Sequence, residues 1–418
     1  MTMISRSVTV LFGALSLVLL SALADPATAQ QDIKIGFTIS TSGTFARAAE
    51  PVRRGILMYE DWVNKQGGIM VKDVGKKLPV RLVFYDDESN KDNVIRLYER
   101  LAVQDKVDFF LAPYSSPLTI TAAAMADKYK KVMISHTGSS TLIYGQGYQY
   151  IVQSVQPTPI FMRNLFDQAR ARFPQDRKVA IVYEDSPFPK GVAEFGEKGA
   201  KELGFDLVLY DKFPFRAADV SPVLTKVKAA SPDLLAWLAH EESTVLGLRQ
   251  MKELDVDAKL IAVLDAGLHS FLKALGARDL EGVSGFIEWD PAVSYKVNYG
   301  PTNEQFMKMY EAFAREKFKD TDPPDNHTPL GLVSGLLIQA AIEKAGSLET
   351  TKVRAAMNDL NITTLVGPFK IDPKTGLQQG YPMLTTQWQK GKSVVVWPAQ
   401  FGTPDRFIYP MPAWKDKR

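Results

Sequence analysis

Between Ile33 and Val263 the chain repeats one alternation, a short continuous apolar run followed by a longer segment with apolar residues at helical spacing. Ile33 to Phe37 reads as a strand, and Pro51 to Lys65 as a helix with Ile56, Tyr59, Trp62 and Val63 on one face, stopped by Gly67-Gly68. Strand Val80 to Tyr85, helix Asn90 to Gln104, strand Phe109 to Ala112, helix Leu118 to Lys128 and strand Val132 to Ile134 continue the series. Continuously apolar strands joined by crossover helices form a parallel sheet covered on both faces. The pattern restarts at Lys178, with strands Val179 to Tyr183, Leu207 to Tyr210, Leu234 to Leu238 and Leu260 to Val263 separated by helical segments. Two such series in 418 residues exceed one core and predict two doubly wound lobes with a cleft between them.

Beyond Gly282 the alternation breaks down. A strand-like Phe286 to Trp289, two helices (Asn303 to Phe318 and Leu330 to Ala345) and a Gly- and Pro-rich tail from Val366 to Pro398 remain, as expected of a chain that crosses back between lobes.

Two strands of the first series open into hydroxyl-rich loops at the starts of helices, Pro113-Tyr114-Ser115-Ser116-Pro117 and Ser135-His136-Thr137-Gly138-Ser139-Ser140. Neighbouring parallel strands ending this way aim hydroxyls and free helix N–H groups into one crevice, which suits an anion, most simply a carboxylate. Ser116 before Pro117 is equally an ordinary helix start.

At the N-terminus Arg6 precedes an apolar run from Val8 to Leu23 and then Ala27-Thr28-Ala29, the pattern of a cleaved signal peptide over residues 1–29. An exported chain without cysteine has no disulfide scaffold, thiol nucleophile or lipid-modified cysteine, so a periplasmic location is expected. Fifty Lys and Arg against 47 Asp and Glu, evenly spread, argue against a nucleic-acid partner. The four histidines lack metal-ligand spacing, and neither a P-loop nor a G-x-S-x-G motif is present, so no enzyme, metal or cofactor is expected. A hydrolytic triad assembled in space stays open at this stage.

Ile33-Lys34-Ile35-Gly36, Ser42-Gly43, Arg53-Arg54-Gly55, Asn64-Lys65-Gln66-Gly67-Gly68, Asp86-Asp87, Ile134-Ser135 and Gly147-Tyr148 occur in an order and spacing that is similar to one family. The chain resembles the periplasmic solute-binding proteins of the branched-chain amino acid type, which feed ABC transporters. The resemblance runs from Ile33 to past Gly367-Pro368-Phe369. It implies the type I periplasmic binding protein fold, two α/β lobes with three interlobe crossings. The lobes are expected at 32–152 plus 282–361 and at 153–281 plus 362–418. It also implies a monomer with a membrane permease and its ATPase as partners.

The resemblance places Ser116, Thr137 and Ser139 on a ligand carboxylate, Asp265 on an ammonium, Phe188 and Tyr114 on the apolar part, and His240 or Glu241 where the family has a tyrosine at the amino group. Ala48 stands where an aromatic often covers the ligand, so Phe45 is the expected substitute, with Trp289 a further candidate at the cleft. These departures leave the solute open between an amino acid and another organic acid or amide. They also leave open a module that reports its ligand to a sensor.

Overall fold

The computed structural model describes residues 32–380, 383–402 and 406–417; the expected signal segment lies outside them. Strand β1 (Ile33–Ile39) and helix α1 (Ala46–Lys65) are followed by a hairpin of β2 (Ile69–Val71) and β3 (Lys76–Leu78). Next come β4 (Val80–Asp86), α2 (Lys91–Val103), β5 (Phe109–Leu111), α3 (Ser116–Tyr129), β6 (Met133–Ser135), the single turn α4 (Thr141–Tyr144) and β7 (Ile151–Gln153). Strands β4-β1-β5-β6-β7 form one sheet, parallel throughout.

The second series runs α5 (Phe161–Arg172), β8 (Lys178–Glu184), α6 (Pro187–Glu202), β9 (Asp206–Phe213), α7 (Ser221–Ala230), β10 (Leu234–Leu238), α8 (Glu241–Glu253), β11 (Leu260–Val263), α9 (His269–Leu280) and β12 (Ser284–Ile287). Helices α10 (Asn303–Phe318), α11 (Thr328–Ala345) and α12 (Thr350–Asn358), hairpin β13 (Ile362–Thr364) and β14 (Gly367–Phe369), and strands β15 (Leu384–Gln389) and β16 (Lys392–Trp397) complete the described elements. The second sheet has the order β9-β8-β10-β11-β12-β15-β16, parallel up to β12 and antiparallel beyond it. Its two faces are covered by separate apolar cores.

Sheet membership shifts two expected lobe boundaries. Ser284–Ile287 pairs with β11 and β15 in the second sheet, and Trp289 and the core residues from Phe306 to Ile371 belong to the first core, while Val293 still packs in the second. The chain therefore crosses after Ile287 and again beyond Ile371, not at 282 and 361. Gly282, where the alternation ends, is a turn at φ 81° leading into the next strand of the same sheet.

Helix α1 starts at Ala46, ahead of the expected Pro51, which lies inside it. The missing N–H of proline is outweighed here because Phe45, Ala48 and Ala49 are buried and hold the first turn in place. Helices α1 and α11 then cross at backbone contact. A Cβ on Gly55 would sit 1.9 Å from the Thr328 carbonyl oxygen, and one on Gly331 2.2 Å from that of Val52. This crossing seats the start of α11, whose N-cap position is His327, against the middle of α1.

Candidate functional site

In a doubly wound sheet the strand order reverses at one point, and the loops leaving the C-terminal strand ends there diverge to leave a crevice. In the first sheet the reversal lies between β1 and β5, followed in the chain by Phe45 and Tyr114; in the second it lies between β8 and β10, ending at Glu184 and followed by His240. Asp265 and Glu288 follow β11 and β12. Tyr114, Ser115, Thr137, Ser139, Phe188, His240, Asp265, Glu288 and His327 together line a small cavity of about 10 Å³.

One wall is made of donors. The Ser115 N–H donates to Thr137 Oγ1 at 3.2 Å, and the same hydroxyl lies 3.3 Å from His136 Nδ1. The Ser115 hydroxyl is buried without a partner, and its backbone sits at φ 76°, so the residue at the head of α3 is held in a costly conformation. With the free N–H groups of that helix start, these hydroxyls can receive a carboxylate.

The opposite wall is a buried ionic cluster. His327 Nε2 lies 3.5 Å from Asp265 Oδ1 and 3.8 Å from Glu288 Oε2, and Asn326 Nδ2 donates to Glu288 at 2.9 Å. Burial works against a charged imidazole, yet the hydrogen bond and charge of Asp265, with Glu288 beyond, raise His327 to about 9. Burial pushes the Glu288 carboxyl up, His327 pulls it down and Asp265 pushes it up again, leaving it at about 7. These three side chains offer ligand atoms within 4.8 Å of one another. A ring holding a proton between two carboxylates acts as an internal cation and has no lone pair there for a metal. Once Glu288 ionises, the cluster carries one excess negative charge, which suits an ammonium.

His240 is fixed from behind by Glu184. Glu184 Oε2 accepts from His240 Nδ1 at 2.5 Å and from its backbone N–H at 3.1 Å, while Oε1 accepts from the Ser243 hydroxyl at 2.6 Å. Burial alone would raise the Glu184 carboxyl, but these donors hold it down to about 2. Its contribution to stability is therefore present above the ordinary carboxylate range and is lost as pH falls toward 2. Glu184→Gln is expected to destabilise the fold by about 1–3 kcal/mol, because a buried donor is left unmatched; urea unfolding at pH 7 measures it.

Past His240 the cleft continues into a compartment of about 150 Å³ that also includes Phe45, Phe215, Arg216 and Glu241 in its lining. The Phe45 ring stands 6.0 Å from Tyr114, 6.1 Å from Phe215 and 5.4 Å from His240. Arg47 reaches across the cleft to Glu241 at 3.3 Å.

Eight of the ten residues expected at the site thus line these two adjoining spaces. Ser116 does not; its hydroxyl accepts the Ser140 N–H at 3.1 Å and ties the two loops together, while the neighbouring Ser115 faces the cavity. Trp289 is turned away as well, donating to Asn303 Oδ1 at 2.9 Å and packing edge-on against Phe306. Glu184, Glu288 and His327 were not anticipated. A carboxylate closing an apolar strand was the available signal for the first two, and nothing local marks His327.

The sequence profile of a family described as periplasmic binding protein matches residues 32–393. The chain is 24% identical over 400 residues to Leu/Ile/Val-binding protein homolog 7 of Brucella suis biovar 1 (strain 1330), covering 92% of this chain and 96% of the relative. It is 25% identical over 402 residues to homolog 8 of the same strain, covering 93% and 96%. Among solved structures, a leucine binding protein LivK from Thermotoga maritima MSB8 superposes with TM-score 0.75 at 19% identity, over 87% of this chain and 97% of that one. An ABC-transporter solute binding protein from R. palustris in complex with benzoate gives TM-score 0.73 at 17% identity, over 92% and 97%. The profile match over most of the chain, on two lobes of this topology, places the protein in the periplasmic binding protein family.

Proposed function

We propose that this protein is the substrate-binding component of an ABC importer, capturing an α-amino acid in the periplasm and delivering it to a membrane permease and its ATPase. The observation that carries this reading is one cavity lined both by the hydroxyls of Ser115, Thr137 and Ser139 and by the Asp265–Glu288–His327 cluster. An amino acid has a carboxylate for the first and an ammonium for the second, so it fits only one way round. Ser115, Thr137 and Ser139 hold the carboxylate; Asp265 and Glu288 hold the ammonium.

Both lobes supply contacts, so ligand favours the closed form by its differential affinity. Further pairs join the two lobes, His269 with Asp325 at 2.8 Å and Lys273 with Asp322 at 2.5 Å. The lobes turn about crossings after Gln153, after Ile287 and beyond Gln378. Export follows cleavage after Ala29.

A thermal-shift screen of the mature protein, from Gln30 onward, against amino acids and their deaminated analogues at about 1 mM tests the reading. A solute binding at about 1 μM adds roughly 4 kcal/mol by mass action and raises the melting point by several degrees. Equal shifts from the deaminated acids would remove the ammonium role.

Affinity should also depend on pH. In the free protein Glu288 is raised to about 7, so its protonated form contributes stability at low pH that is lost as pH rises through that value. An ammonium reverses this preference, because it pairs with the ionised form. Binding of an amino acid should therefore release protons near neutrality and weaken by up to about tenfold per unit below pH 7; calorimetry in buffers of differing ionisation enthalpy reads both.

A further inference from the structure

The compartment beyond His240 is poorly suited to an aliphatic side chain. His240 is 7% exposed and its Nε2 has no partner, while Nδ1 is committed to Glu184. A ring whose Nδ1 proton is held by a carboxylate presents, when neutral, a lone pair at Nε2. Glu241 is 5% exposed, and the cation paired with it, Arg47, has a side chain 58% exposed to water. Burial and the nearby Asp265 push the Glu241 carboxyl up, against the Ser270 hydroxyl and Arg47. Both acceptors border the space that a bound amino acid's side chain would enter. A leucine-like side chain there would strip water from them and return no hydrogen bond.

We infer that the solute is an amino acid whose side chain carries an N–H donor, cationic or amide, which reaches His240 Nε2 and Glu241 alongside the rings of Phe45 and Phe215. The inference rests on the reading that carboxylate and ammonium occupy the neighbouring cavity. The tilted rings then border the methylene stem, and the two acceptors choose the head. This is a departure from branched aliphatic ligands that the residues at this compartment impose.

Calorimetric titration of the mature protein with arginine, lysine, glutamine, leucine, glutamate, 4-methylpentanoate and benzoate tests it. At least one of arginine, lysine and glutamine should bind ten or more times tighter than leucine and glutamate. Leucine binding as well as these would overturn the inference and leave the amino acid reading standing. Tightest binding by 4-methylpentanoate or benzoate, or no binding by any compound, would overturn both. His240→Phe should narrow the preference over leucine at least tenfold, with the melting point of the free variant checking that it folds. An equal loss for every ligand would reduce His240 to a structural role and overturn the assignment.

Discussion

Gly331→Ala is expected to destabilise the protein, although the same change in an exposed helix would stabilise it by about 1 kcal/mol. The added methyl would lie 2.2 Å from the Val52 carbonyl oxygen and 2.9 Å from the Ile56 nitrogen, both backbone atoms of α1 that no rotamer change can move. Restoring a carbon contact of about 3.5 Å forces the helices apart by on the order of 1 Å and opens the core between them. Overpacking of this kind costs about 3 kcal/mol net, more for Gly331→Val, lowering the melting point by roughly 4 °C. Because His327 stands immediately before α11, both variants should also bind solute more weakly. Thermal and urea unfolding decide the sign, and a Gly331→Ala protein as stable as wild type would show that the helices do not cross this closely.

Asp265→Asn should reduce affinity for the amino acid by about 30-fold or more, since truncating one partner of a desolvated charge pair costs roughly 2–5 kcal/mol. Asparagine is the informative replacement because Asp265 sits at φ 53°, a left-handed conformation that Asn adopts readily, so the loop is retained while the charge is lost. The imidazole of His327 then loses the partner that chiefly raises it to about 9, and its titration should move down. Calorimetry gives the first outcome and proton NMR of the histidine ring the second. An unchanged affinity with a shifted His327 would mean that Asp265 serves the histidine and not the solute.

Much of the site was legible because it follows from topology. The hydroxyl loops at Thr137 and Ser139, and Asp265 after an apolar strand, occupy C-terminal strand ends that hydrophobic alternation alone locates. Of the serine pair, Ser115, at positive φ, lines the cavity, and the expected Ser116 does not, because its hydroxyl accepts the Ser140 N–H. Trp289 looked exposed at a strand end, but the chain crosses there into the first core and buries it beside Phe306.

What the sequence determined by itself was the local physics: apolar period, turn residues and helix starts specify two parallel sheets and the ends at which a ligand can bind. The tertiary structure decided which charges meet. His327 lies 62 residues beyond Asp265, on a helix whose position depends on the backbone contact of Gly331 with α1. Glu288 joins them only because β12 completes the second sheet before the chain crosses. A buried ionic cluster draws its character from desolvation and separations of a few ångströms, and both arise only when distant segments pack.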